Sequence, residues 1–268
     1  MGHLMGHRLL TVALYLLAAL IGVVALFYPF FLPALPAAGL DEPALRASET
    51  PLLATLLVTL CLAVLLVELQ GQAAGAKTVA ALGILVAATA TLRFIEVGIP
   101  GPAGFSPIFA PILLGGYVFG ARFGFLLGSM TMLVSAIITA GVGPWLPYQM
   151  FTAGWVGLTA GWLPHPRAPR AQVALLIAAG FLWGFIYGAI MNLYTWPFLA
   201  GDPRLTWTPG AGLSAALGRY AAFYVATSLV WDAAAAAGNV ILLAALGWPA
   251  IRALARFRDR LQFRVEYH

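Results

Sequence analysis

The stretch 107-PIFAPILLGGYVFGARFGFLLGSMTMLVSAIITA-140 decides the architecture of this chain. It is almost wholly apolar over 34 residues. As one helix it would be roughly 50 Å long at about 1.5 Å per residue, too long for one crossing of a hydrocarbon layer about 30 Å thick. Gly120-Ala121-Arg122, in its middle, offers a turn that carries a charge. The sequence therefore predicts two spans, 107–120 and 123–140. The first is short, about 21 Å as a helix, and contains Pro111 and Gly115-Gly116. Such a span is tolerated where protein covers it or where it lines a cavity. Both a kinked packing helix and the wall of a ligand site satisfy that condition.

Composition carries the same reading to the whole chain. Of 268 residues 62% are hydrophobic and 9% charged, against about 25% charged in a soluble domain. Too little polar surface is left to cover a water-soluble core. The apolar runs are too continuous for the alternating strands of a barrel. An all-α, polytopic membrane protein follows, and soluble enzymes, disulfide scaffolds and nucleic-acid binders are excluded. The remaining spans are expected at 9–32, 51–69, 78–94, 148–163, 171–195 and about 215–246, eight in all.

Charge tests the count, because cytoplasmic loops collect Lys and Arg. Eight spans with the N-terminus inside place Arg8, Lys77, Arg122, Arg167, Arg170, Arg252, Arg256, Arg258, Arg260 and Arg264 on the cytoplasmic side. Arg46 and Arg204 fall outside, as does the loop with Asp41, Glu42 and Glu49, while Arg93 and Arg219 sit at membrane boundaries. Seven spans would separate Arg8 and Lys77 from the C-terminal arginines. Both termini are therefore expected in the cytoplasm of a multi-pass cell-membrane protein, and the net charge of +5 reports those loops rather than a nucleic-acid partner.

Ionisable groups inside a membrane are costly and face protein or a cavity. Asp232 lies deep in the last span, beside Trp231. On one continuous helix it is about 20 Å from Arg219, so its expected partner is Asn239, Tyr187 or Asn192. Arg93 and Glu96, three apart at the end of the third span, can pair with each other. Glu68 reads as a boundary residue near the cytoplasm. The segment 141–150, GVGPWLPYQM, is a rigid irregular turn with two glycines and two prolines. Its Trp145 and Tyr148 are interface aromatics, and Gln149 begins the next span. The seventh span carries Trp183 and Tyr187 on one face, then Met191 and Tyr194, with Asn192 and Trp196 near its end. An apolar wall with a few converging polar groups is the composition of a small-molecule site; an aromatic belt with packing is the alternative.

Small residues step along the third span (Ala80, Gly83, Ala87) and the sixth (Gly154, Gly157, Gly161), with an alanine run at 233–237. Such faces let helices approach closely, inside the protein or against a partner. Cys61 is a small hydrophobe in an apolar run. The histidines at 3, 7, 165 and 268 form no metal set, and no cofactor is expected. G-x-x-x-x-G-K-[ST] and H-E-x-x-H are both absent, as is a repeated pair of broken helices in matching halves. The chain is thus not expected to be an enzyme.

These residues carry a resemblance. GVGPWLPYQM at 141–150, followed by the WVGLTAGWLP run at 155–164, resembles the outer loop and next helix of the substrate-binding S components of energy-coupling factor (ECF) transporters. The short fourth span, glycine-rich fifth and polar-aromatic seventh follow the same order. The resemblance covers about 77–255, six spans. It implies an extension at 1–76, a six-helix substrate-binding core at 77–255 and a basic tail at 256–268. It further implies capture of a vitamin from outside, association with a membrane coupling (T) component and two cytoplasmic ATPases, and toppling in the bilayer to release substrate inward. Substrate contacts are implied at Arg93, Glu96, Trp145, Gln149, Tyr187, Asn192, Trp196 and Arg219; Trp183 and Asp232 join them from the residue reading. Partner docking is implied at Ala80, Gly83 and Ala87, where Gly83-x-x-x-Ala87 stands in place of the usual alanine pair. Cobalamin or a related corrinoid is the first expected substrate, with riboflavin or another vitamin as the alternative. An intramembrane enzyme using Asp232 and an assembly factor that binds only membrane proteins are the readings from other classes.

Overall fold

The computed structural model describes residues 2–27, 30, 55–56, 59, 63, 74–99, 105–199, 201–208 and 210–261. The expected second span, Cys61 and the loop with Asp41, Glu42 and Glu49 lie outside the described residues, isolated positions apart. Every regular element among those described is a helix, as hydrocarbon requires of a chain that must satisfy its own backbone polar groups. They are α1 (Gly2–Phe27), α2 (Ala74–Gly98), α3 (Phe109–Phe119), α4 (Ala121–Ile138), α5 (Leu146–Ala160), α6 (Pro169–Thr195), a 3-10 turn (Trp196–Phe198), α7 (Leu213–Thr227) and α8 (Leu229–Leu261). Lys77–Gly98, Ala121–Ile138, Pro169–Phe198 and Leu229–Arg260 are long and apolar enough to cross a membrane; Ala13–Phe27 and Phe109–Phe119 are shorter apolar helices.

The decisive stretch does divide. Gly120 alone separates α3 from α4, at φ 98°, a left-handed conformation that costs glycine little. Its N–H donates to Gly116 O and its carbonyl accepts from Gly124 N–H, so both helices are capped by one residue. The short α3 is the centre of the bundle. Ile108, Ile112 and Leu113 are wholly buried and Tyr117 nearly so, with α2, α4, α5, α6 and α8 around them. Its Pro111 and Gly115-Gly116 are thus covered by protein.

The last expected span is corrected. Residues 215–246 do not form one helix: α7 ends at Thr227 and α8 begins at Leu229. Both polar side chains at the break are engaged. Thr227 Oγ1 donates to Phe223 O at 2.8 Å, and Ser228 Oγ accepts from Asn192 Nδ2 at 2.7 Å.

Tertiary bonds gather the basic residues at one end. Arg258 Nη1 donates to Val118 O (3.0 Å), Tyr117 OH to Pro164 O (3.3 Å) and Tyr15 OH to Arg122 O (3.1 Å). The His165 ring stacks on Tyr117 at 4.3 Å. Thr78, next to Lys77, shares a cavity wall with Tyr15 and Arg122. Arg93 and Glu96 then lie about 24 Å and more along α2, at the opposite end. There α1 joins the bundle as well: Gly22 touches Phe151 and Trp155 of α5, and Ala25 and Leu26 are buried with Tyr148.

Candidate functional site

At the end of the bundle opposite the arginine cluster, three groups of polar and aromatic side chains form. The first is built on the last turns of α2. Arg93 and Glu96, both half-buried, share one helical face. Arg93 lies close enough to Glu96 and to Tyr187 of α6 to act on both electrostatically. Ser106, buried in the connection from α2 to α3, donates its hydroxyl to Glu96 Oε2 at 2.7 Å. Tyr187 packs edge-on against Phe109, centroids 4.7 Å apart. Phe105 lies so tightly on Gly238 that a methyl there would overlap its ring. A cation, an anion and a phenol from two helices are thereby brought under one connection, with apolar rings around them.

The second group lies between α6, α7 and α8. Asp232 is in the first turn of α8, where the helix dipole favours a carboxylate. Its Oδ2 accepts from Tyr224 OH at 2.7 Å, and the carboxylate rests on the bare backbone at Gly188. The expected partners are corrected: Asn239 donates instead to Gly180 O (2.9 Å), Asn192 to Ser228 Oγ, and Tyr187 belongs to the first group. Tyr224 was hidden by the reading of one continuous helix, on which eight residues put two side chains about 12 Å apart. The break at Ser228 folds them together.

The third group is aromatic. Trp196, buried, donates Nε1–H to Leu205 O at 2.8 Å. Around it stand Phe30, Trp207 and Tyr220, with centroids 4.9 to 5.8 Å from the indole. Tyr220 OH donates to Ala189 O, which ties this group to the second. Arg219 donates to Thr208 Oγ1 and so holds the α6–α7 connection.

The remaining expected residues are placed apart. Trp145 is exposed and folds back on its own turn: Nε1–H donates to Gly141 O (3.2 Å), and its ring occupies the space beside Gly143. Gln149 is half-buried one turn into α5. Tyr148 meets Tyr194 at 4.5 Å, so this turn adjoins the C-terminal part of α6. Trp183 faces inward and donates to Thr159 Oγ1 of α5 at 2.9 Å, below the other groups. Ala80, Gly83 and Ala87 are all exposed on α2, and a methyl at Gly83 would meet nothing within 4 Å. The glycines of α5 do the reverse and pack internally, Gly157 on Gly116 and Gly124, and Gly161 on Ala121. Among the described residues no cluster of His, Cys, Asp and Glu could hold a metal ion.

Ser106, Tyr220, Tyr224, Ser228 and Thr208 supply the partners that sequence reasoning missed. The one available signal was the need of Glu96 and Asp232 for hydrogen-bond donors.

Comparison with known proteins gives one match. The family described as ECF transporter, substrate-specific component, matches residues 77–247. None of the curated proteins and none of the solved structures matches the chain.

Proposed function

We propose a transport role that proceeds from one premise: the chain belongs to the ECF transporter substrate-specific component family. It is a substrate-binding membrane subunit, and ATP hydrolysis resides in partner subunits. On our reading it captures a vitamin at the Arg93 end of the bundle, which faces outward, while the arginine-rich end and both termini face the cytoplasm. The observation that carries this is the convergence of Arg93, Glu96, Ser106 and Tyr187 from two helices and one connection. Preorganised charged and phenolic groups among apolar rings suit an organic ligand with polar substituents.

On the family resemblance the proposed contacts extend to Trp145, Gln149 and Asn192; Trp196 and Arg219, implied by the same resemblance, stand in the separate third group. Trp183 and Asp232 are proposed as further contacts from the residue reading, with polar atoms that engage Thr159 and Tyr224. The open face at Ala80, Gly83 and Ala87 suits close approach of a helix of the coupling component. Cobalamin or a related corrinoid is the first candidate substrate, on the likeness of the 141–150 loop; riboflavin or another vitamin is the second.

The deciding experiment is an absorption spectrum of the detergent-purified chain, with mass spectrometry of what denaturation releases. A corrinoid near one-to-one establishes class and substrate together. A flavin keeps the class and replaces the substrate. An empty protein, with no thermal shift across a vitamin panel, overturns the binding role and favours an assembly factor.

A further inference from the structure

A cavity of about 440 Å3 lies beside the third group, walled by Phe30, Trp196, Trp207 and Tyr220 and by Phe27, Leu193 and the start of α7. Its volume falls within the roughly 300–1,000 Å3 of small-molecule sites. Its chemistry is unlike that of the Arg93 group. Trp196 directs its N–H to Leu205 O, and Tyr220 its hydroxyl to Ala189 O. The polar tips of these two amphipathic rings are engaged with backbone carbonyls, and the faces left to the cavity are apolar. A pocket of this kind does not hold water, which needs two to four polar partners.

The cavity also opens at an apolar surface of the bundle. Leu213 and Leu217 line it and are 76% and 59% exposed. Ala221 and Val225 continue the same exposed stripe at four-residue steps along α7. In a chain whose neighbouring helices cross the membrane, such a stripe lies against lipid tails. Arg219, the neighbour of Tyr220, is anchored on Thr208, the neighbour of Trp207. A guanidinium is therefore held beside two wall residues, where the phosphate of a lipid would be favoured.

We infer that this cavity binds one acyl chain of a membrane phospholipid, and that Phe27 and Phe30 of the N-terminal extension complete the site. The extension thereby gains a role distinct from capture of the polar substrate.

The test uses the full chain in phosphatidylcholine vesicles containing a phosphatidylglycerol with a diazirine on its acyl chain. After irradiation, adducts are mapped by peptide mass spectrometry. Labelling of the cavity wall should saturate as the probe fraction rises. Labelling near Ile84 and Ile241, which are equally exposed on other helices, should rise in proportion to it. Ala216→Phe, which fills the cavity from a buried wall position, should abolish the saturating component. Leu217→Trp, at the exposed rim, should do the same without changing the interior, so failure of the first variant to fold leaves the test intact. Adducts that never saturate, or that survive Leu217→Trp in a folded protein, overturn the inference. So does saturable labelling by a diazirine fatty acid alone, which would identify a free aliphatic acid as the occupant.

Discussion

Two helix seams hold this bundle together, and they use glycine differently. Between α4 and α5, small residues stand on both sides. Gly124 faces Gly157, Gly128 faces Ala153, and Gly161 faces Ala121, in each case so closely that a methyl on the glycine would overlap backbone of the other helix. Between α6 and α8, the glycines with no room for a methyl stand on α6 only, while Gly247 of α8 leaves ordinary contact distance to Val173. Gly180, Gly184 and Gly188 face Asn239, Ala236 and Asp232. Hydrocarbon offers no hydrophobic drive between helices, so association rests on dispersion contacts and interhelical hydrogen bonds. The first seam relies on contact of backbone with backbone. In the second, Gly184 meets the backbone of Ala236, but Gly180 and Gly188 are recesses for side chains, those of Leu243 and Asn239 and that of Asp232. A two-sided glycine seam is rigid and chemically silent. A one-sided seam seats a carboxylate and a carboxamide inside a membrane protein, each with a named donor or acceptor.

The most destructive way to test this contrast is Gly157→Ala. The added methyl would strike the carbonyl of Gly124, at a crossing where the Gly157 carbonyl itself lies against Gly116 of α3. Backbone cannot rotate away as a side chain can. A loss of about 3 kcal/mol is expected, at the upper end of overpacking costs, read as a large drop in midpoint in thermal or denaturant unfolding in detergent. A small drop would show that the α4–α5 seam can open, and the rigid half of the comparison would fail. The matched change on the other seam is Gly188→Ala. Its methyl meets the Asp232 carboxylate, a side chain that can turn aside. The expected cost is smaller, about 1–2 kcal/mol, and is tied to loss of the Tyr224–Asp232 bond. Adding Tyr224→Phe to Gly188→Ala should therefore cost little more. Additive losses would place the strain elsewhere.

The first seam was readable in the sequence and the second only in part. Gly154, Gly157 and Gly161 declared a close-packing face, and the break at Gly120 followed from length and charge alone. Helix ends at 121 and 138 fell within two residues of the expected 123 and 140. Gly180, Gly184 and Gly188 have a four-residue spacing too, but the aromatic residues around them suggested a pocket wall instead. The α7–α8 break was invisible because residues 215–246 hold no proline or charged turn to mark it, and Thr227-Ser228 is a pair that helices also tolerate. At the break the Ser228 hydroxyl is bonded to Asn192, 36 residues away. The break decides which group reaches Asp232, since it folds Tyr224 back onto it. In the candidate site, the nearness of Arg93 to Glu96 is local and legible at three-residue spacing. Ser106 on Glu96 is not, because a serine in a connection carries no periodic signal. Trp145 pointed to a wall by its type, yet a local hydrogen bond to Gly141 sets its direction.

At the Arg93 end, binding and not folding should respond. Arg93→Ala removes a half-buried cation acting on Glu96 and Tyr187. An affinity loss of about tenfold or more, roughly 1.4 kcal/mol, is expected for the ligand identified by mass spectrometry, with the unfolding midpoint little changed. Unaltered affinity in a folded protein would move the substrate away from this group. A smaller effect, of opposite sign, is expected nearby. Ala140 sits at φ 52° in the turn after α4, and Gly141 N–H donates back to Ala136 O, the arrangement in which helices favour glycine. Ala140→Gly should stabilise by up to about 1 kcal/mol. A loss instead would mean that the entropy of the freer unfolded chain outweighs the relieved strain.

The smallest effect on folding is expected where a glycine belongs to neither seam. At Gly83 a methyl meets nothing, and Ala80 and Ala87 are equally exposed one turn to each side. Replacement by leucine creates no clash within the chain and favours the helix slightly. Gly83→Leu should thus leave the unfolding midpoint and ligand affinity in place. If the bare face is where a helix of the coupling component approaches, the leucine keeps the two backbones apart and co-purification with that component is lost. The result separates two causes of a bare glycine. Loss of the partner with folding intact makes α2 a third glycine seam, one-sided within the chain and completed only in the assembly. Normal co-purification would leave Gly83 as a lipid-facing residue and move the docking surface to another helix.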